Sequence, residues 1–170
     1  FDADFKYKLL ASIDDFDERC DGLLIHSENF QALNLLQEKY RESIKCIYID
    51  PPYNTAASEI AYKNEYKHSS WLSLMENRLS RSLSLMNDTS VIEVAIDDFE
   101  QRYLQTVMDS VYGIDNFITN IAILTNPKGR EQEFVSQAHD YSIIYAKNKT
   151  TAKMYDFRLT EDAHSKKYSL

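Results

Sequence analysis

Asp50-Pro51-Pro52-Tyr53 is the segment of this chain best equipped for chemistry. It follows Ile44-Lys45-Cys46-Ile47-Tyr48-Ile49, an apolar run that reads as a strand with Cys46 buried in it. Proline fixes φ and lacks an amide hydrogen, so the four residues make a stiff loop that cannot relax into sheet or helix. A carboxylate, free carbonyls and an aromatic ring on such a loop suit a flat amine, with acceptors at its edge and a ring against its face.

The exocyclic amine of adenine is a poor nucleophile, because its lone pair is delocalised into the ring. Acceptors around it favour a pyramidal nitrogen. Asp50 supplies one and the Pro51 carbonyl another. Both stabilise positive charge developing on nitrogen. The methyl donor that fits is a sulfonium such as S-adenosylmethionine, with nitrogen, carbon and sulfur in line. Tyr53 is placed to stack on a base turned out of its duplex, a contact worth about 1–3 kcal/mol. A packing tyrosine is the plain alternative in a chain with 12 tyrosines.

The elements that must hold this loop follow from periodicity. Residues 1–21 are acidic and read as an arm or surface helix. Leu23–His26 is a short strand candidate, and Ser27-Glu28-Asn29 has helix-cap chemistry. Phe30, Leu33, Leu36 and Tyr40 then recur at helical spacing. After a polar loop over 54–68, Ser69 or Ser70 caps a helix with the stripe Trp71, Met75, Leu79, Leu83, ended by Asn87-Asp88. Trp71 reads as core. Val91–Ile96 is a second buried strand. Asp97 and Glu100 resemble a capping box opening a helix with Phe99, Tyr103, Val107 and Val111 on one face, closed by Gly113. Residues 117–124 and 141–146 read as an antiparallel strand pair. This order predicts an α/β fold, a mostly parallel sheet with helices on both faces and an antiparallel hairpin at one edge. Ligands bind at the carboxyl ends of such strands, where Asp50–Tyr53, Ser27–Asn29 and Asp97-Asp98 all fall.

Composition bounds the rest. The chain has 170 residues, 44% of them hydrophobic, enough for one α/β core. Two cysteines without close spacing fit a reducing, cytoplasmic compartment and no zinc site. Histidines 26, 68, 139 and 164 lack metal-ligand spacing; His68 reads as a surface or capping residue, with lining of the active-site loop as the alternative, and His139 as structural. No run is suited to spanning a membrane. The net charge of −8 argues against a broad grip on DNA. Blocks 41–85 and 126–170 carry +1 and +2, against −5 and −6 for 1–40 and 86–125, so nucleic acid would approach on the side of the Pro-Pro loop and of Asn126–Arg130. Lys128 and Arg130 could touch phosphate there, or form an ordinary exposed turn.

The text of the chain resembles the adenine-specific DNA methyltransferases, most closely the modification subunits of type III restriction-modification systems. The matching segments are LLIHSENFQALNLLQEKY (23–40), IKCIYIDPPYNT (44–55), HSSWLSLMENRLSRSLSLM (68–86), VIEVAIDDFEQRYLQTVMDSVYGIDNFI (91–118), NPKGR (126–130) and HDYSIIYAKN (139–148). The resemblance implies a Rossmann-like methyltransferase fold and methyl transfer from S-adenosylmethionine to adenine N6 in DNA. It carries catalytic roles to Asp50, Pro51, Pro52 and Tyr53, substrate contact to Tyr53, Asn54 and Thr55, and cofactor contact to Asp50, Pro51 and Glu28. A cap at Ser27–Asn29 explains Glu28 equally well. It implies DNA as partner, with a restriction subunit and a homodimer mate as further candidates.

The resemblance has gaps. The family often has glycine where Ser27 stands, and glycine soon after the signature where Ala56-Ala57 stands. Its glycine-rich cofactor loop of the Phe-x-Gly-x-Gly type cannot be built from Gly22, Gly113 and Gly129. The expected organisation is an arm over 1–21, a partial catalytic domain over 22–150 and the start of a further region at 151–170. The segment then reads as an excerpt of a longer protein, inactive alone. Rival readings are methylation of cytosine or RNA adenine, and a non-catalytic module supporting such an enzyme.

Overall fold

The computed structural model describes residues 2–54, 68–125 and 138–154. Thr55, the rest of the polar loop and Asn126–Arg130 lie outside them. Helices α1 (Ala3–Ala11) and α2 (Asn29–Tyr40) precede strand β1 (Ile44–Ile49). Then come α3 (His68–Leu85), β2 (Met86–Ile96), α4 (Gln101–Tyr112), a 3-10 turn (Ile114–Asn116), β3 (Phe117–Leu124) and β4 (His139–Ala146).

The sheet order is β1-β2-β4-β3. β1 and β2 are parallel, which requires a crossover, and α3 provides it. β4 is antiparallel to both β2 and β3, so β1, β2 and β3 point one way and β4 runs against them. The hairpin expected at 117–146 therefore forms, with β4 inserted beside β2 and β3 at the edge.

Alternation along the strands selects one face for the core. Ile92, Val94 and Ile96 of β2 and Ile143 and Tyr145 of β4 are buried there, with Ile47 and Ile49 of β1 packed alongside. α3 covers them with Trp71, Met75 and Leu79, and α4 with Leu104, Met108 and Tyr112. Burying each of these large side chains contributes about 1.5–3 kcal/mol. Burial raises the Tyr112 pKa, and its hydroxyl stays satisfied by Ser82 Oγ at 2.8 Å and the Leu79 carbonyl at 3.1 Å.

Several expectations are corrected. Leu23–His26 is irregular, with Leu24 98% exposed, because no described strand lies beside it to pair with. α3 begins at His68, so Ser69 and Ser70 lie inside the helix rather than capping it. Its buried face includes Ser82 and Leu85, with Leu83 only half-buried.

Asn87-Asp88 does not end α3. The helix stops at Leu85, and Asn87–Ser90 form a bulge in β2, whose register on β1 jumps from Met86 to Val91. Asn87 Oδ1 holds the bulge, accepting from Thr89 N at 3.0 Å and Thr89 Oγ1 at 2.9 Å.

The buried stripe of α4 is Leu104, Met108 and Tyr112, one position round from the expected face, and Phe99 is half exposed. Gly113 does cap α4, at φ 87°. Cys46 is exposed, not buried: it lies on edge strand β1 and faces away from α3 with Tyr48. α3 and α4 pack side by side on one face of the sheet, so the expected two-faced layering is not seen among the described residues.

Candidate active site

β1 and β2 end at the same edge of the sheet, and antiparallel β4 starts there. Asp50–Asn54 follow β1, Asp97–Glu100 follow β2, and His139–Tyr141 open β4, with Tyr141 opposite Ile96. Asp50 projects as an exposed carboxylate, Pro51 is buried, and Pro52 and Tyr53 are half-buried. The loop is thus anchored on its proline side with its acid turned outward.

Two bonds from distant elements fix the loop. The Trp71 indole N–H donates to the Pro52 carbonyl at 2.8 Å. The core side chain at the head of α3 is therefore also the clamp on the loop. It engages the carbonyl next to that of Pro51, the one assigned as acceptor. Beyond the tyrosine, Asn54 is buried at φ 60°, a left-handed conformation that asparagine tolerates better than most residues. Its Nδ2 donates to Glu100 Oε1 at 2.6 Å.

Tyr53 is tied to the acid at the head of its own loop. Burial first, then the Asp50 carboxylate beside it, then Asp140 and Tyr48, push the Tyr53 pKa strongly upward. The phenol therefore stays protonated beside Asp50. Asp97 and Asp140 are buried at the same edge. Burial first, then the negative charge of nearby Asp98, raises the Tyr141 pKa. His139 Nε2 lies 3.0 Å from the Tyr141 hydroxyl. The loop end of the sheet is therefore acidic and carries aromatic rings.

The capping box is not formed. Asp97 Oδ1 accepts from Phe99 N at 3.0 Å, while Glu100 is itself the N-cap of α4 and makes no side-chain cap bond. Its carboxyl turns inward to Asn54 and to His68 Nδ1 at 3.0 Å. His68 stacks on Tyr103 at 4.5 Å and Phe99 at 5.1 Å. Its side chain stays 43% exposed, so it is a surface residue that also bonds to Glu100 beside the loop.

Glu28 is the N-cap of α2. Its Oε2 accepts from Gln31 N at 3.1 Å and its Oε1 from Arg78 Nη2 of α3 at 2.7 Å. The Phe30 backbone N–H foremost, then Gln31 and Arg78, lower its pKa.

Among the described residues, no group of three or more His, Cys, Asp or Glu side chains could hold a metal ion. No helix there is long and apolar enough to cross a membrane.

An open α/β sheet that gathers its polar side chains at the strands' carboxyl ends, with a rigid Asp-Pro-Pro-Tyr loop among them, defines the class of α/β proteins that hold ligands at that edge. The N6/N4 methyltransferase family, described as DNA methylase, matches residues 44–169, and the chain belongs to this family.

It is 35% identical over 133 residues to the HindVI Mod subunit of Haemophilus influenzae, covering 76% of this chain and 18% of that protein. It is 29% identical over 178 residues to the EcoPI Mod subunit of a type III restriction-modification enzyme of Escherichia phage P1, covering 86% and 28%. With the type II methyltransferase M.KpnI of Klebsiella pneumoniae it shares 30% identity over 154 residues, covering 85% and 37%. The chain thus spans well under half the length of these relatives.

Among solved structures, the M1.HpyAVI–SAM complex has a TM-score of 0.53 at 14% identity, over 80% of this chain and 60% of that one. The PvuII DNA methyltransferase, described as cytosine-N4-specific, has 0.51 at 15% identity, over 69% and 47%. These likenesses establish a shared Rossmann-like methyltransferase fold, partial in this chain.

Proposed function

We propose that the protein carrying this segment methylates adenine N6 in DNA, with Asp50-Pro51-Pro52-Tyr53 as the base-holding loop. The observation that carries this reading is the exposed Asp50 carboxylate on a loop clamped at Pro52 and Asn54. Asp50 accepts one amine hydrogen and the Pro51 carbonyl the other, which localises the nitrogen lone pair. Tyr53, half-buried beside Asp50, supplies ring surface to the extruded base. Asn54 and Thr55 border the substrate.

The residues fit S-adenosylmethionine as methyl donor. Asp50, Asp97, Asp98 and Asp140 make the edge acidic, which favours a sulfonium cation. Asp50 and Pro51 would face the donor, and Glu28 is the further candidate, although its oxygens are engaged by α2 and Arg78. When bound, S-adenosylmethionine supplies an electrophilic methyl group on a good leaving group. Methylation of the amine held by Asp50 and Pro51 would leave that nitrogen with one proton in excess. The surplus amine proton passes to Asp50 or to water, so no strong base is needed beforehand.

The protein acts in the cytoplasm, with DNA as substrate. A restriction subunit is the expected partner, given that two of the relatives named above are Mod subunits, and a homodimer is the expected assembly.

The test is product analysis. The intact protein is incubated with labelled donor and with DNA or RNA, and the modified nucleoside is identified by mass spectrometry. N6-methyladenine in DNA is expected; label on cytosine N4 or on RNA alone would replace the reading.

A further inference from the structure

Glu100 is fully buried, yet it performs none of the duties that would normally retain an acid at a helix start. It is the N-cap residue of α4 but gives that helix no side-chain bond. Its Oε1 instead meets residues of other elements: Asn54 Nδ2 at 2.6 Å and His68 Nδ1 at 3.0 Å. Its Oε2 has no hydrogen-bond partner among the described residues. Burying a carboxyl this way is costly unless its bonds are worth having.

What those bonds hold is the least comfortable residue of the loop. Asn54 is buried in the left-handed region, directly after Tyr53. Trp71 clamps the Pro52 carbonyl, so Tyr53 sits between two fixed points, one provided by α3 and one by the start of α4. The Asn54 bond is the one made at the left-handed turn directly after the tyrosine.

We infer that Glu100 is a positioning residue of the Asp-Pro-Pro-Tyr loop, acting through the side chain of Asn54. It touches neither reacting atom. It fixes the turn that sets the Pro51 carbonyl and the Tyr53 ring against the base, and this rests on the loop being the methyl-transfer site. A displacement of about 1 Å at such a point is worth on the order of 100-fold in rate.

The test uses the intact protein with Glu100→Gln, Glu100→Leu, Asn54→Ala and the double variant Asn54→Ala/Glu100→Leu. Glutamine keeps an acceptor for Asn54; leucine fills similar space without one. Two properties are read: methyl-transfer kcat and KM, and hydrogen exchange at the Tyr53 and Asn54 amides.

The expected result is a kcat lowered about 100-fold in Glu100→Leu, with KM for DNA little changed and faster loop exchange. Glu100→Gln should recover most of both, and the double variant should be no slower than Asn54→Ala, because the two residues act as one unit. If Glu100→Leu does not fold, Asn54→Ala must alone show the lowered kcat and faster exchange. Wild-type exchange in the loop of Glu100→Leu or Asn54→Ala would overturn the inference, as would equal loss in Glu100→Gln and Glu100→Leu. Should the wild-type protein methylate no DNA amine while loop exchange still responds, the holding role stands and the assignment of the site falls.

Discussion

Asp50 and Tyr53 are electrostatically coupled: after burial, the carboxylate is the chief cause that holds the phenol protonated. Asp50 is exposed, so its side chain does little for the fold. Asp50→Ala should abolish methyl transfer in the intact protein with less than about 1 kcal/mol change in stability, checked by turnover and thermal melting. Tyr53→Ala removes ring surface as well as the hydroxyl. It should weaken capture of the extruded base by about 1–3 kcal/mol, measurable with a fluorescent base analogue at the target position. The Tyr53 pKa is pushed so far up that the phenol stays neutral across the working range, and the activity profile should show no alkaline limb from it.

At the scale of elements, α2 is fastened to α3 from its first residue. Glu28 caps α2 and binds Arg78, and Gln37 donates to the Arg81 carbonyl at 2.8 Å. The folded pKa of Glu28 lies below its unfolded value, so its stabilising effect is present above the unfolded pKa and is lost as pH falls through the folded one. Wild-type protein should melt above Glu28→Gln at neutral pH, and the two should converge as pH drops below the carboxylate range. Thermal melts across that range check this. The effect is small, since both partners are partly exposed.

At the scale of the whole molecule, the described sheet has edge strands β1 and β3, with Tyr48 on the first and Ile121, Ile123 and Leu124 on the second exposed. The chain spans 18% to 37% of the relatives named above. Three isolated glycines cannot form a glycine-rich cofactor loop. Residues 1–170 alone should therefore bind S-adenosylmethionine weakly or not at all and transfer no methyl group; calorimetry and a label-transfer assay read the two. Tight binding would mean that the acidic edge holds the donor unaided.

Local pattern was enough for β1, the Val91–Ile96 part of β2, the hairpin strands, α2 and the Gly113 stop, because each is written in residues within a few positions of one another. The Asp-Pro-Pro-Tyr loop was legible for the same reason, its stiffness being a property of its own prolines. What misled was local chemistry with a distant use. Glu100 has the spacing of a cap, yet a partner 46 residues away takes its carboxyl. Asn87 looks like a helix stop and instead holds a bulge, because β1 fixes the register of the strand around it. Cys46 sits in an apolar run, but its exposure depends on which face α3 covers.

The sequence by itself determined that a rigid acidic-aromatic loop ends a strand, since proline geometry and alternation act within a few residues. Only the tertiary structure decided how that loop is aimed. The Trp71–Pro52 and Glu100–Asn54 bonds join segments 19 and 46 residues apart, and such pairs meet only after the crossover helix has brought β1 and β2 side by side.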